Sequence, residues 1–546
     1  MGMPSGAGQE CAVTVILART CGGSEERLSA EPQTTRLAEL FAAISLATDL
    51  GRGFPQEKTL RTCLVAERIA TELGLDEAAR ADTFYASLIH PLGCTAFTYE
   101  SARVFGTDEL KDLPAFARAD PTHPVEGARA IRDAVRGEPL GRRVRATRAI
   151  LTKGERFVRY AARADCEAGT ILSRRFGFGD AVATTVVQVQ ERFDGKGVPA
   201  GLRGEEIEPG ARIIALANQV EIFHRTNGPQ ATRAMVRRRT PGWFDPATVR
   251  AFERRAADIF AELEAGSVWD VALASEPGPP VTIPEWRVDD IAAALADFVD
   301  VKSPYLLGHS SGVAQLAHDA ATNLGLPDDE RVAVRRAALL HDLGRVGIPN
   351  RVWDKPGSLT PSEWEQVRLH AYHTERILAR SPVLAPLAPI AGSHHERADG
   401  SGYHRGVSAA AIPVPARVLA AADVFQALTQ TRPHRRAVPE DRAATEVEAM
   451  VAVGTLDPEA ARAVCEAGGV PRRGRSSPPW PAGLTDREVD VLRLLARGMS
   501  KKQVAEALVI APGTVHTHTV HIYEKLGVST RAGVALFAME HGLVNG

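Results

Sequence analysis

A fixed offset of 251 residues ties two parts of this 546-residue chain together. Leu73-Gly-Leu75 recurs as Leu324-Gly-Leu326, Leu88-Ile-His-Pro-Leu-Gly93 as Leu339-Leu-His-Asp-Leu-Gly344, and Arg80 as Arg331. A second offset, 205, carries Glu191-Arg-Phe-Asp-Gly-Lys-Gly197 onto Glu396-Arg-Ala-Asp-Gly-Ser-Gly402 and Asn218 onto Asp423. The offsets differ by 46, so the first copy holds about 46 additional residues between its halves. Shared helical composition explains matched Ala and Leu. It does not explain a repeated D-G-x-G or L-x-H-x-L-G, so one fold is expected twice.

The apolar residues from about 35 onward recur at i, i+3 and i+4, which predicts an all-α chain. Residues 1–34 read as a disordered leader, 35–268 as a first helical domain and 285–468 as a second. The breaker Glu276-Pro-Gly-Pro-Pro280 lies between the two domains. A Pro- and Arg-rich linker, 469–483, precedes a compact segment, 484–546. No stretch reaches the roughly 18 apolar residues of a membrane span. No basic segment precedes the apolar Ala12–Leu17, so no signal peptide is expected. The six cysteines are scattered and form no C-x-x-C pair, which suits reduced thiols in the cytoplasm. A net charge of −2 excludes a generally basic nucleic-acid coat but leaves room for one small DNA-binding module.

Eight of the 16 histidines lie between 309 and 404. Five, with two aspartates, form an ordered set: His309, His341-Asp342, His370, His394-His395 and Asp423. Imidazole and carboxylate donors suit divalent metals. Seven donors exceed what one catalytic ion uses, and two ions about 3.5–4 Å apart would employ them all. His318, His373 and His404 fall outside the set and read as surface or loop residues.

Residues 300–465 resemble the HD-GYP subset of HD-superfamily phosphohydrolases, which cleaves cyclic di-GMP. The likeness rests on Leu-Leu-His341-Asp342-Leu-Gly-Arg345-Val-Gly-Ile-Pro349, Lys355-Pro-Gly-Ser-Leu-Thr360, His394-His-Glu-Arg-Ala-Asp399-Gly-Ser-Gly-Tyr403, Ala421-Ala-Asp423-Val-Phe and Thr431-Arg-Pro433. It implies two divalent ions, Fe or Mn ahead of Zn, held by His309, His341, Asp342, His370, His394, His395 and Asp423. It also implies hydroxide attack on a phosphodiester. Asp342 then bridges the ions, and Arg345 stabilises charge on the phosphoryl group. The chain departs from the family at Gly402-Tyr403-His404, where a Gly-Tyr-Pro is usual. Arg345 replaces a Lys, Gln426 an Asp, Ala371 a Pro, and Tyr305 the Glu that binds a third ion in some members. Asp399 is expected to hold its loop through Asx-type bonds.

The first copy has Lys58 for His309, His90-Pro91 for His341-Asp342, His123 for His370, Val189-Gln190 for the His pair and Asn218 for Asp423. Two of seven ligand positions survive on this reading. Residues 35–268 are therefore expected to be a degenerate HD-type domain.

Residues 484–546 open with the capping box Thr485…Glu488. Ser500 caps a second helix and Pro512 starts a third. Their helix-turn-helix order resembles the LuxR-type DNA-binding domain. The resemblance implies base contacts from Thr514, Val515, His516 and Thr519, and phosphate contacts from Lys501, Lys502, Lys525 and Arg531. The module is nearly neutral, so a homodimer is expected on DNA.

Two functions from different classes follow. One is a cytoplasmic regulator that joins a metal-dependent phosphodiesterase, acting on cyclic di-GMP or a related nucleotide, to sequence-specific DNA binding. The other is a transcription regulator whose HD domains only sense a ligand or dimerise.

Overall fold

The computed structural model describes residues 34–120, 122–469 and 480–544. All of the leader expected at 1–34 except Thr34, and most of the linker expected at 469–483, lie outside the described residues. The described chain is all-α except for one two-stranded antiparallel sheet. No described helix is long and apolar enough to cross a membrane.

The sheet pairs Thr34–Arg36 with Thr282–Pro284, Thr35 opposite Ile283. It ties the start of the first helical unit to the start of the second. Arg36 anchors the pairing through Nε to Glu276 Oε2 at 2.8 Å. Periodicity alone does not disclose this element, because three residues are too few to show an alternation.

The repeat is visible helix by helix. Lys58–Glu72 and Glu77–Ile89 in the first copy correspond to His309–Asn323 and Asp328–Leu340 in the second. Each leading helix starts after a residue in the left-handed region, Glu57 (φ 67°) in one copy and Gly308 (φ 70°) in the other. Asp49 accepts from the Thr59 backbone N–H and hydroxyl, as Asp300 does from Ser310. These partners stand 251 residues apart.

The copies differ where the extra residues fall. The first contains the helices Glu109–Ala117 and Pro124–Ala134 and a 36-residue helix, Leu140–Arg175. The second has the short Asn350–Trp353 and the 18-residue Pro361–Leu378.

The D-G-x-G loop is built identically in both. The buried Glu191 carboxylate accepts from the backbone N–H groups of Ala200, Gly201 and Leu202. Glu396 accepts from Arg405, Gly406 and Val407. A Cβ on Gly197 or Gly402 would sit 2.3 or 2.4 Å from the backbone nitrogen of Arg192 or Arg397. Close approach therefore requires glycine there.

Candidate metal centre and DNA-binding module

Five elements converge on the centre. His309 opens its helix, and His341 ends the Asp328–Leu340 helix with Asp342 directly after it. His370 lies in Pro361–Leu378, His394 and His395 follow Ala388–Gly392, and Asp423 lies in Val414–Thr429. All are buried except His395, which is partly exposed.

The donors form two groups, His309, His341 and Asp423 on one side and His370, His394 and His395 on the other. Asp342 stands between them. Its Oδ2 lies 3.2 Å from His341 Nε2 and 3.8 Å from His309 Nε2. Its Oδ1 lies 3.5 Å from His370 Nε2 and 3.7 Å from His394 Nε2. Asp423 places Oδ1 3.2 Å from His309 Nε2 and Oδ2 3.9 Å from His395 Nδ1.

The donors fit a metal. The Nδ1 atoms of His341, His370 and His394 meet the carbonyls of Ala338, Val367 and Ala391 at 2.7, 2.5 and 2.6 Å. His309 Nδ1 meets Gln430 Oε1 at 3.0 Å. Each such bond fixes the proton on Nδ1 and turns the Nε2 lone pair inward. His370 Nε2 then faces His394 Nε2 at 3.1 Å, lone pair to lone pair, an arrangement that a cation resolves. The Nε2 atoms of His309 and His341 and both Asp342 oxygens are buried without hydrogen-bond partners. Buried polar atoms are rarely left so.

Electrostatics keeps most of the set in its ligating form. Burial lowers His309 and His370 to about 4, and lowers His394 and His395 well below the usual imidazole range. Burial also opposes charge on His341, but Asp342 outweighs it and raises the ring to about 9. Asp342 would be raised by burial, yet Arg345 and His341 hold it well below the carboxylate range.

Arg345 lies with Nη1 2.7 Å from Asp342 Oδ2, and its guanidinium covers Trp353 at 3.9 Å from the ring centre. Asp399 caps its own loop, accepting from the Ser401 N–H at 2.9 Å and from its hydroxyl. His404, half-buried, pairs with Glu375 at 3.2 Å. Three further neighbours surround the donors. Gln430 orients His309, Arg432 places Nη2 3.3 Å from His309 Nδ1, and the Tyr403 ring lies 4.8 Å from that of His395. The signal for Arg432 was present in Thr431-Arg-Pro433.

The first copy requires a correction. His123 is exposed and does not occupy the place of His370. That place belongs to Asp165, 205 residues before His370. A Cβ on Gly93 would strike the Asp165 carbonyl at 2.1 Å, and one on Gly344 would strike the His370 carbonyl at 2.1 Å. The inserted residues precede Asp165, so the later offset applies. Gln190, in the His395 position, donates to Asp165 Oδ2 at 3.0 Å. His90 keeps the backbone bond that His341 makes in the second copy, Nδ1 to the carbonyl three residues earlier, here Ser87 at 2.9 Å.

In the C-terminal module, Thr485 and Ser500 each close a capping box, with Glu488 and Gln503. The third helix, Pro512–Leu526, buries Val515, Thr519 and Ile522. Val515 and Thr519 therefore pack into the module and do not face bases, a correction to the expected contacts. Their spacing, i, i+4 and i+7, is that of a core stripe. Thr514 and His516 are exposed, as are Lys501 and Lys502, and Lys501 Nζ lies 2.7 Å from His516 Nδ1. Lys525 pairs with Glu488 at 2.7 Å.

Arg531 is also corrected. It opens a fourth helix, Arg531–Glu540, and is buried against the other domains. Its Nε donates to Glu100 Oε1 at 2.5 Å, and Nη2 reaches the carbonyls of Ala96 and Val301 at 3.3 Å each. Beside it, Glu167 accepts from the N–H and hydroxyl groups of both Ser529 and Thr530. The DNA-binding module is thus docked on both helical copies.

Comparison with known proteins agrees with this architecture. The HD domain family matches residues 154–248 and 293–460, and the family "Bacterial regulatory proteins, luxR family" matches 482–538. A 3′3′-cGAMP-specific phosphodiesterase of Vibrio cholerae is 31% identical over 439 residues, 79% of this chain and 94% of its own length. A cyclic di-GMP phosphodiesterase of Thermotoga maritima is 37% identical over 167 residues, 30% of this chain and 45% of its own. The crystal structure of a cyclic GMP-AMP-specific phosphodiesterase of V. cholerae superposes with a TM-score of 0.56 at 27% identity, covering 81% of this chain and all of that one. The chain belongs to the HD-GYP-type family of HD-domain phosphodiesterases and carries a LuxR-type DNA-binding domain at its C-terminal end.

Proposed function

We propose that this chain hydrolyses a cyclic dinucleotide, 3′3′-cGAMP or cyclic di-GMP, and couples that nucleotide to transcription through its C-terminal module. The observation that carries the reading is Asp342, buried between two triads of imidazole and carboxylate donors with neither oxygen in a well-formed hydrogen bond among the described residues. His309, His341 and Asp423 would hold one divalent ion and His370, His394 and His395 a second, with Asp342 shared and Fe or Mn ahead of Zn. When bound, such ions polarise a phosphoryl oxygen and supply hydroxide at neutral pH.

The chain's own groups bind and orient. Arg345 keeps Nε free of a protein partner and offers it to a phosphoryl oxygen. Trp353 fixes the plane of that guanidinium. Tyr403 packs beside His395 at the partly exposed side of the centre and supplies an aromatic surface for the substrate.

On DNA, Thr514 and His516 would read bases, while Lys501 and Lys502 would meet phosphates, in a cytoplasmic homodimer. Lys525 would do the same on leaving Glu488. The test is anaerobic hydrolysis of both dinucleotides with Mn²⁺ or Fe²⁺. Wild type should turn over, and Asp342→Ala should lose about 100-fold or more together with its bound metal. Equal turnover by the two proteins would detach hydrolysis from the Asp342 centre, and none by wild type would remove catalysis and leave a regulator that only senses or dimerises.

A further inference from the structure

A cavity of about 990 Å³ lies where the three modules meet. The first copy contributes Tyr99 and Arg103, the second Tyr305, Arg351 and Gln430, and the DNA-binding module Arg497. None of the seven metal-site donors lines it. The size suits a nucleotide-scale ligand.

The lining carries uncommitted positive charge. Arg351 is neutralised by Asp108 at 3.2 Å and Glu138 at 3.4 Å. Arg103 and Arg497 have no carboxylate partner among the described residues. Arg103 stays over the Tyr99 ring and reaches its hydroxyl at 3.4 Å, and Arg497 donates to the Val544 carbonyl at 3.1 Å. The carboxylate in the wall, Asp354, is bonded by Ser303 and Asn350. Asn350 itself is buried with Oδ1 unpartnered. Two free guanidiniums match two phosphodiester charges. Tyr305 offers a stacking face, while the Tyr99 ring is covered by Arg103 and Arg531, and the amides of Asn350, Gln430 and Gln503 suit base edges.

We propose that this cavity binds a cyclic dinucleotide, with its two phosphodiesters against Arg103 and Arg497, so that the DNA-binding module forms part of the nucleotide site. The dinucleotide class rests on the phosphodiesterase reading; the shared wall does not. Gln430 links this site to the metal centre, since it both lines the cavity and holds His309 Nδ1. The ligand bridges the module to both helical copies, and the module therefore registers nucleotide without an intermediate protein.

The test uses the full chain and a phosphorothioate analogue of cyclic di-GMP, which resists hydrolysis, with binding read by calorimetry. Arg103→Ala and Arg497→Ala should each weaken binding about tenfold or more. Bound analogue should slow amide exchange across residues 494–503 in the unsubstituted chain, a readout that does not depend on how either variant folds. Unchanged affinity in both variants, absence of binding to wild type, or unchanged exchange at 494–503 overturns the proposal. Intact binding without hydrolysis of natural cyclic di-GMP or 3′3′-cGAMP would sink the phosphodiesterase reading alone.

Discussion

Lys58 Nζ donates to Oδ1 of Asn218, at the two positions where the second copy holds His309 and Asp423. The first copy thus keeps a cation and an oxygen donor in register, but the cation belongs to the chain. His90 Nε2 completes the group 3.3 Å from the Asn218 amide nitrogen. The Lys58 ammonium thus fills, with the chain's own atoms, the place where the second copy gathers its donors.

That ammonium is costly, and the cost depends on pH. Burial, then the nearby Arg52, lower Lys58 from 10.5 to about 8. Between those values the unfolded chain binds more protons than the folded one, so stability rises with pH across that window, and below about pH 8 the full cost is present. The slope is at most about 1.4 kcal/mol per pH unit. Denaturant midpoints of the first domain should rise from pH 8 to pH 9.5 in wild type and stay flatter in Lys58→Met. Parallel curves would contradict the assignment.

Gln430→Ala should weaken metal binding about 10- to 100-fold, because His309 loses the acceptor that fixes its tautomer. Competition with a chromophoric chelator measures this directly. An unaltered affinity would show that His309 is held by packing alone.

Glu396→Ala and Glu191→Ala should each cost about 2–4 kcal/mol, since each strips one carboxylate from three backbone donors. Activity should separate them. Glu396→Ala loosens the loop that carries Tyr403 beside His395, and turnover should fall. Glu191→Ala disturbs the copy that lacks the seven-donor set, and turnover per folded molecule should hold.

Glu167→Ala should loosen the DNA-binding module, because Ser529 and Thr530 lose all four bonds to it and only Arg531, with Glu100 and the carbonyls of Ala96 and Val301, remains beside them. Amide exchange at residues 529–531 should accelerate well beyond the rest of the module. Unchanged protection there would mean that apolar packing alone holds the module in place.

On the recognition helix, His516→Ala should alter operator affinity without lowering the module's stability. Val515→Ala should instead cost about 1–3 kcal/mol of stability, as burial of its side chain dictates. Gel-shift titration beside thermal unfolding distinguishes the two effects.

Much of the centre was legible in sequence because its donors occur in ordered, recognisable strings. His341-Asp342 and His394-His395 need no tertiary knowledge to be paired. Legibility failed where neither offset was applied. His123 stands 247 residues before His370, which matches neither the 251 nor the 205 spacing, and the packing of Gly93 on Asp165 shows that the later offset already holds there. Val515 and Thr519 were misassigned although their helical phase was available, since i, i+4, i+7 spacing with Ile522 marks a buried stripe. Arg531 was not legible at all. Its partners Glu100 and Val301 lie 431 and 230 residues away, and nothing local distinguishes it from a phosphate contact.

The small sheet bears on how the chain is made. Thr34–Arg36 pairs with residues that leave the ribosome about 250 positions later. Synthesis at about 5–20 residues per second leaves that edge bare for roughly 10–50 s. Arg36 waits almost as long for Glu276 and for the Leu273 carbonyl. The first copy is therefore finished only when the second begins to emerge, and a fragment ending before residue 282 would leave Thr34–Arg36 without the strand it pairs with.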